Sequence, residues 1–272
     1  MKQKQLFDLQ GSVVVITGGG GVIAKAMAEA LVTAGAKVSL WGRGKSRPID
    51  EVAEELAGET GCPGMVHSQT ADASDNSALQ ESLEQTIEEF GIPTCLINGV
   101  GGNKGKSSFN EADVDTFREI LDLNIVAGMV LPTQVFTSYW IGEERKGNII
   151  NIASMASYIP LSGVWAYGAA KSAVMNLTMA AAKEFAPHGI RVNGIAPGFF
   201  IGDQNRRLLI ADDETGELTE RGKDVIRHTP FGRFGEAEEL GGVTVFLVSD
   251  KASGFITGTT VPVDGGYLIQ NI

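Results

Sequence analysis

Two spacings of apolar residues take turns along the chain. Short unbroken apolar runs, of which residues 12–17 (SVVVIT) are the first, read as strands buried on both faces. Between them, apolar residues recur every three or four positions, as on the buried stripe of a helix. The pattern predicts strands at 12–17, 37–41, 65–70, 94–98, 147–153, 190–195 and 259–263. It predicts helices at 22–34, 49–60, 77–90, 113–137, 163–185 and 236–249. Gly35 and Gly91 follow the first and third helices as stop signals, and Pro132 predicts a bend or a break within 113–137.

Strands alternating with helices require crossover connections, which are right-handed and cover both faces of a parallel sheet. The predicted fold is α/β: a single-domain, Rossmann-type doubly wound parallel sheet with helices on both faces, spanning residues 1–272. Residues 199–229 break the rhythm, being longer and more polar than a simple connection, with Arg206, Arg207, Asp212, Asp213, Arg221, Lys223 and Arg227 among them. Long loops in compact domains commonly carry function. This one reads as a substrate-loop excursion, a lid in preference to a solvated helical stretch.

Composition narrows the function. With 272 residues and 43% hydrophobic content, a sizeable core is possible. A net charge of −11 argues against nucleic-acid backbones and anionic membrane surfaces as partners. Cys62 and Cys95 have neither CxxC nor metal spacing, and His67, His188 and His228 are scattered, so no metal site is expected. No apolar leader opens the sequence and no run of eighteen apolar residues suggests a span, so a cytoplasmic protein acting on a small molecule is expected.

The candidate chemistry begins with Tyr167 and Lys171, four residues apart and therefore on one helix face. A free phenol titrates at about 10, too high for proton exchange at neutral pH. A neighbouring ammonium favours the phenolate, and a shift to about 7 needs roughly 4 kcal/mol of differential interaction. Upstream, GNIINIASM reads as a strand whose end carries Ser154. Further upstream, Gly18, Gly19, Gly20 and Gly21 follow a strand and open a helix, so that a pyrophosphate could approach the helix N-terminus. The tip of the second strand selects the cofactor. It reads Trp41-Gly42-Arg43, with no acid to hold ribose hydroxyls and an arginine suited to a 2′-phosphate, which predicts NADP(H) over NAD(H).

With these residues in hand, the chain resembles the short-chain dehydrogenase/reductases over essentially its full length. The resemblance implies a catalytic set of Asn124, Ser154, Tyr167 and Lys171 for ketone–alcohol interconversion. It implies cofactor contacts at Gly18, Gly20, Gly21, Ile23, Arg43, Asp72, Asn98, Gly99, Tyr167, Lys171, Pro197 and Gly198, and a C-terminal Val263-Asp264-Gly265-Gly266 signature. GNIINIASM, LPTQVF, IAPGFF, DQNRRLL, the LTERGKDVIRHTPFGRFGEAEEL stretch and VPVDGGY are further similar to the subgroup of D-mannonate oxidoreductases (fructuronate reductases). That similarity implies a sugar-acid substrate, with Asn103, Lys104, Trp165 and Arg206 as residues that could meet it. Val22 and Ala24 stand where the family usually has glycines, Gly42 where the subgroup usually has an acid, Lys104 where it often has a histidine, and Gly202 where it usually has a threonine. By the same resemblance a homotetramer is expected. The alternatives are a sugar-alcohol or 3-oxoacyl reductase, or a cofactor-binding regulatory protein without turnover.

Overall fold

A computed structural model describes residues 5–45, 47–202 and 205–270. Asp203 and Gln204, in the predicted excursion, lie outside the described residues, as do positions 1–4, 46, 271 and 272. The chain runs β1 (Val13–Thr17), α1 (Val22–Thr33), β2 (Lys37–Gly42), α2 (Ile49–Thr60), β3 (Val66–Thr70), α3 (Asn76–Phe90) and β4 (Cys95–Asn98). It continues through α4 (Val114–Leu121), a wide turn of π-helix (Asp122–Val130), α5 (Leu131–Gly142), β5 (Gly147–Ile152), α6 (Trp165–Phe185) and β6 (Ile190–Pro197). The last part holds α7 (Arg206–Leu209), β7 (Ile210–Asp212), β8 (Glu217–Leu218), α8 (Glu220–Arg227), α9 (Gly241–Val248), α10 (Asp250–Ser253) and β9 (Thr260–Val263).

Seven strands form one parallel sheet in the order β3-β2-β1-β4-β5-β6-β9. Alternate side chains of β1 feed opposite layers, as the strand period requires. Val14 and Ile16 join Met27, Leu31 and Leu56 of α1 and α2 on one face. Val15 joins Leu79, Phe136 and Trp140 of α3 and α5 on the other. The chain leaves β1 toward β2 on one side and returns at β4 on the other, which opens a crevice beyond the carboxyl ends of β1 and β4.

The predicted bend at Pro132 takes a different form. Residues Val114–Gly142 are one continuous helix, and the irregularity is the π segment ahead of the proline. Pro132 has no N–H to return to the carbonyl four residues back, so the ladder loosens upstream of it. This helix is also long and apolar enough, by length and composition, to cross a membrane, although no unbroken apolar run marks it in sequence. Its most apolar stretch is 56% buried inside the fold, as befits a core helix between α3 and α6.

The predicted helix at 236–249 is a short 3-10 turn followed by α9, where Gly241 lets α9 close on α1: a Cβ there would lie 2.7 Å from that of Ala30. The excursion at 199–229 contains α7, the β7–β8 hairpin and α8, pinned inward by buried Leu209 and Val225. Elements this short carry too few turns to show a period in sequence.

Candidate active site

The floor of the crevice is built by two glycine turns that touch. Gly18 follows β1 with φ +69°, and a Cβ there would lie 2.8 Å from the Gly99 carbonyl oxygen. The Gly99 N–H donates to Thr17 Oγ1 (3.2 Å), tying the turn after β4 to the end of β1. Gly19 N–H donates to the Trp41 carbonyl (2.9 Å), which fixes the loop beside the tip of β2. Gly21 caps α1 without a side-chain hydrogen bond, and only the tip of Ile49, 4.0 Å away, comes near a Cβ built on Gly20. Free N–H groups therefore face open space at the start of α1, the arrangement that binds a pyrophosphate. These residues fit a dinucleotide. Ile23 packs into the core from the same first turn. Of the departures from the family loop, Ala24 is buried in that packing and Val22 stands exposed.

At the strand tips, Arg43 and Asp72 are both half-exposed and 3.8 Å apart. The Ser74 hydroxyl and N–H hold the Asp72 carboxyl below its usual value against the opposing effect of burial, helped by the Arg43 and Lys45 charges. Asn98 faces the other way from the expected contact. Its carboxamide donates to Thr133 Oγ1 (3.1 Å) and Asn151 Oδ1 (2.8 Å) in the core, so only its backbone borders the groove.

β5 delivers Ser154. Its hydroxyl accepts the Ala156 N–H (3.2 Å) and keeps its own proton to donate. Ser157 joins the site although sequence reading passed over it. Its hydroxyl accepts the Ser154 N–H (3.3 Å) and donates to the Lys171 carbonyl (2.7 Å), tying strand end to helix. The signal was the serine three residues after Ser154, the spacing of a capping box.

α6 carries Tyr167 and Lys171 one turn apart. Lys171 is 4% exposed, its ammonium donates to the Ile152 carbonyl (2.7 Å), and it lies 5.8 Å from the centre of the Tyr167 ring. Burial lowers the Lys171 ammonium to about 8. Lys171 does not pull the phenol down, contrary to the expectation from its spacing. Burial pushes Tyr167 above its usual value, and the group that pulls it back is the Ser154 hydroxyl. The ammonium reaches for the Ile152 carbonyl, so desolvation outweighs its charge.

Asn124, in the π turn, accepts the Gly102 N–H (3.1 Å) and donates to the Gly102 and Ile120 carbonyls (2.7 and 2.8 Å). It clamps the loop after β4. Gly101 lies between it and the lysine: a Cβ there would sit 2.7 Å from Asn124 Oδ1 and 3.1 Å from Lys171 Nζ. Pro197 ends β6, and Gly198 donates to the Val263 carbonyl (2.8 Å) with no room for a side chain above Asp264. The Pro-Gly turn and the C-terminal signature thus meet.

The expected substrate residues are spread among other duties. Lys104 pairs with Glu119 (2.5 Å), and Asn103 donates to the Gly105 carbonyl (2.7 Å). Trp165 gives its indole N–H to the Ser107 carbonyl (3.1 Å) and meets the Phe109 ring edge-on at 5.4 Å, latching the loop after β4 to α6. Arg206 pairs with Asp213 (2.7 Å) inside the excursion. His228 contacts the backbone of α8. Among the described residues no group of three or more His, Cys, Asp or Glu could hold a metal ion.

A family model described as Enoyl-(Acyl carrier protein) reductase matches residues 20–268. The chain is 39% identical to the uncharacterized oxidoreductase UxuB of Bacillus subtilis over 276 residues, covering 96% of each chain. It is 35% identical to the 2-dehydro-3-deoxy-D-gluconate 5-dehydrogenase of Dickeya dadantii, covering 97% of this chain and 98% of that one. A crystal structure of a candidate D-mannonate oxidoreductase from Haemophilus influenza, with bound NAD, superposes with a TM-score of 0.85 at 34% identity and 97% coverage of both chains. Sheet order, glycine turns and these matches agree that the chain belongs to the short-chain dehydrogenase/reductase family and is an NAD(P)-dependent oxidoreductase.

Proposed function

We propose that the protein interconverts a secondary alcohol and a ketone on a small sugar acid, with D-mannonate and D-fructuronate as the pair to test. The observation that carries this reading is the convergence of Asn124, Ser154, Tyr167 and Lys171 beside the crevice. A charged excursion and two relatives named for sugar acids support the substrate class. The glycine turn ahead of α1 would hold a nicotinamide cofactor, which would supply or accept the hydride. Tyr167 exchanges the proton with the substrate oxygen, Ser154 donates a hydrogen bond that positions that oxygen, and Lys171 would hold the ribose hydroxyls of the cofactor. Asn124 holds the loop that borders the lysine.

The preferred cofactor in this reading is NADP(H), because Arg43 is the cation at the tip of β2 and Gly42 stands there in place of an acid that would repel a 2′-phosphate. Asp72 partly neutralises that cation, so the preference is modest. The working assembly is a homotetramer in the cytoplasm by analogy with the family; light scattering that finds a monomer removes the tetramer.

The test is oxidation of NADPH and NADH by the purified protein with D-fructuronate, neutral ketoses and short ketoacids. Selective turnover of D-fructuronate supports the reading, and turnover of neutral ketoses alone rejects the sugar acid while keeping the chemistry.

A further inference from the structure

A carboxylated ligand calls for a cation, and of the three that the sequence suggests, Arg206, Arg207 and Lys104, two are already engaged, Lys104 by Glu119 and Arg206 by Asp213. Helix α8 offers another. Lys223 pairs with Glu220 (2.8 Å) and Arg227 pairs with Asp224, each within the helix. Arg221 alone of its cations has neither ion pair nor hydrogen bond among the described residues. It is also turned inward. It stands next to Gly222, where a Cβ would lie 2.2 Å from the Leu209 carbonyl oxygen, and one turn before buried Val225. Arg221 is partly buried, whereas the neighbouring unpaired Arg207 is exposed. Burying charge without a partner costs free energy, so such a site favours an anion.

The chain leaving α8 runs over the turn before Tyr267, where a Cβ on Gly265 would lie 2.9 Å from Thr229 Cγ2. Burial pushes the Tyr267 phenol up and the Arg221 charge pulls it back. The Tyr267 ring lies 5.1 Å from that of Phe199, the residue after Gly198. Tyr267 also packs on the cluster containing Ala153 and Ala196, neighbours in sequence of Ser154 and Pro197. Through Tyr267 and Phe199, the turn that meets the end of α8 adjoins the catalytic ends of β5 and β6.

We propose that Arg221 binds the carboxylate of the substrate, with Lys104 and Arg206 holding their loops instead. The inference rests on the sugar-acid reading and assigns its anion site. A guanidinium presents parallel N–H donors that match a carboxylate.

The experiment compares the kinetics of D-fructuronate with those of its neutral counterpart D-fructose in the wild type and in Arg221→Gln, Arg221→Lys, Lys104→Gln and Arg206→Gln. Arg221→Gln is expected to raise KM for the acid about ten- to a hundredfold, the worth of a charge-assisted hydrogen bond, while kcat for the acid and both constants for the neutral ketose hold. Arg221→Lys, which keeps the charge and loses the fork, is expected to lie between. An acid KM in Arg221→Gln within threefold of wild type overturns the assignment, as does an equal loss on both substrates. A wild type that does not prefer the acid overturns the sugar-acid reading, and this site with it.

Discussion

Lys171 carries its charge where charge is penalised, and that has a consequence for stability. Its folded value of about 8 lies below the ordinary lysine value of 10.5. Between the two, the unfolded chain holds a proton that the folded chain has released, so this residue makes stability rise as pH increases from about 8 toward 10.5. Below pH 8 both states are protonated and the penalty is complete. Replacing Lys171 with Met is expected to abolish that rise, which a comparison of Tm values at pH 7 and pH 9.5 reads directly. Tyr167→Phe is expected to remove turnover by a factor of at least about a thousand while cofactor binding, followed by fluorescence, stays intact. Retained activity would reject the proton role of the phenol. Gly42→Asp places a carboxylate at the β2 tip, with its Cβ 3.3 Å from the mobile end of Ile49. The ratio of NADPH to NADH efficiency is expected to fall by about tenfold or more; an unchanged ratio removes Arg43 from cofactor selection. At this scale the sequence was readable wherever spacing carries the chemistry, as in Tyr167 and Lys171. It misled where a side chain could face two ways: Asn98 turns to the core, and the lysine reaches a carbonyl.

Elements differ in how much of their stability is local. α8 is eight residues long, and its start depends on Thr219, whose hydroxyl accepts the Gly222 N–H (3.0 Å) and donates to the Leu208 carbonyl (2.7 Å). Thr219→Ala is expected to cost about 1 kcal/mol of local stability. Faster hydrogen exchange confined to residues 206–227, with the sheet unaffected, is the expected pattern; protection unchanged there would show that α8 is held by packing alone. The long helix followed its predicted course, but its widening did not show in sequence. Pro132 marked an irregularity, and only the structure shows that the turn holding Asn124 absorbs it. The excursion was visible as a polar interruption, and its hairpin was not, because a three-residue and a two-residue strand leave no alternation to count.

For the whole molecule, the parallel sheet and the covering of both faces followed from the alternation of runs, since buried parallel strands read as continuous apolar stretches. What the pattern left out is how distant segments touch: Gly18 against Gly99, Gly198 against Asp264, Gly241 against Ala30. Each pair joins residues far apart in the chain, and a glycine in sequence does not name its neighbour. Gly18→Ala is expected to force the two turns apart and weaken cofactor binding at least about tenfold, since both the positive φ and the 2.8 Å approach oppose a side chain. Titration with NADPH and NADH checks this, and wild-type affinity for both would mean the turns can yield.

The two stems of the excursion meet side by side where they leave and rejoin the domain. Gly235 donates to the Phe199 carbonyl (2.9 Å) where the two stems run side by side, and Phe231 donates to the Gly265 carbonyl (3.1 Å) on the C-terminal turn. The stems hold the ends together whatever lies between them, and loop length adds little to the cost of closure. The paired stems make the segment an exchangeable cassette. Lineages sharing this sheet and these catalytic residues could swap its contents to take up different molecules, and a transplanted excursion, joined at 199 and 235, should leave the host domain folded.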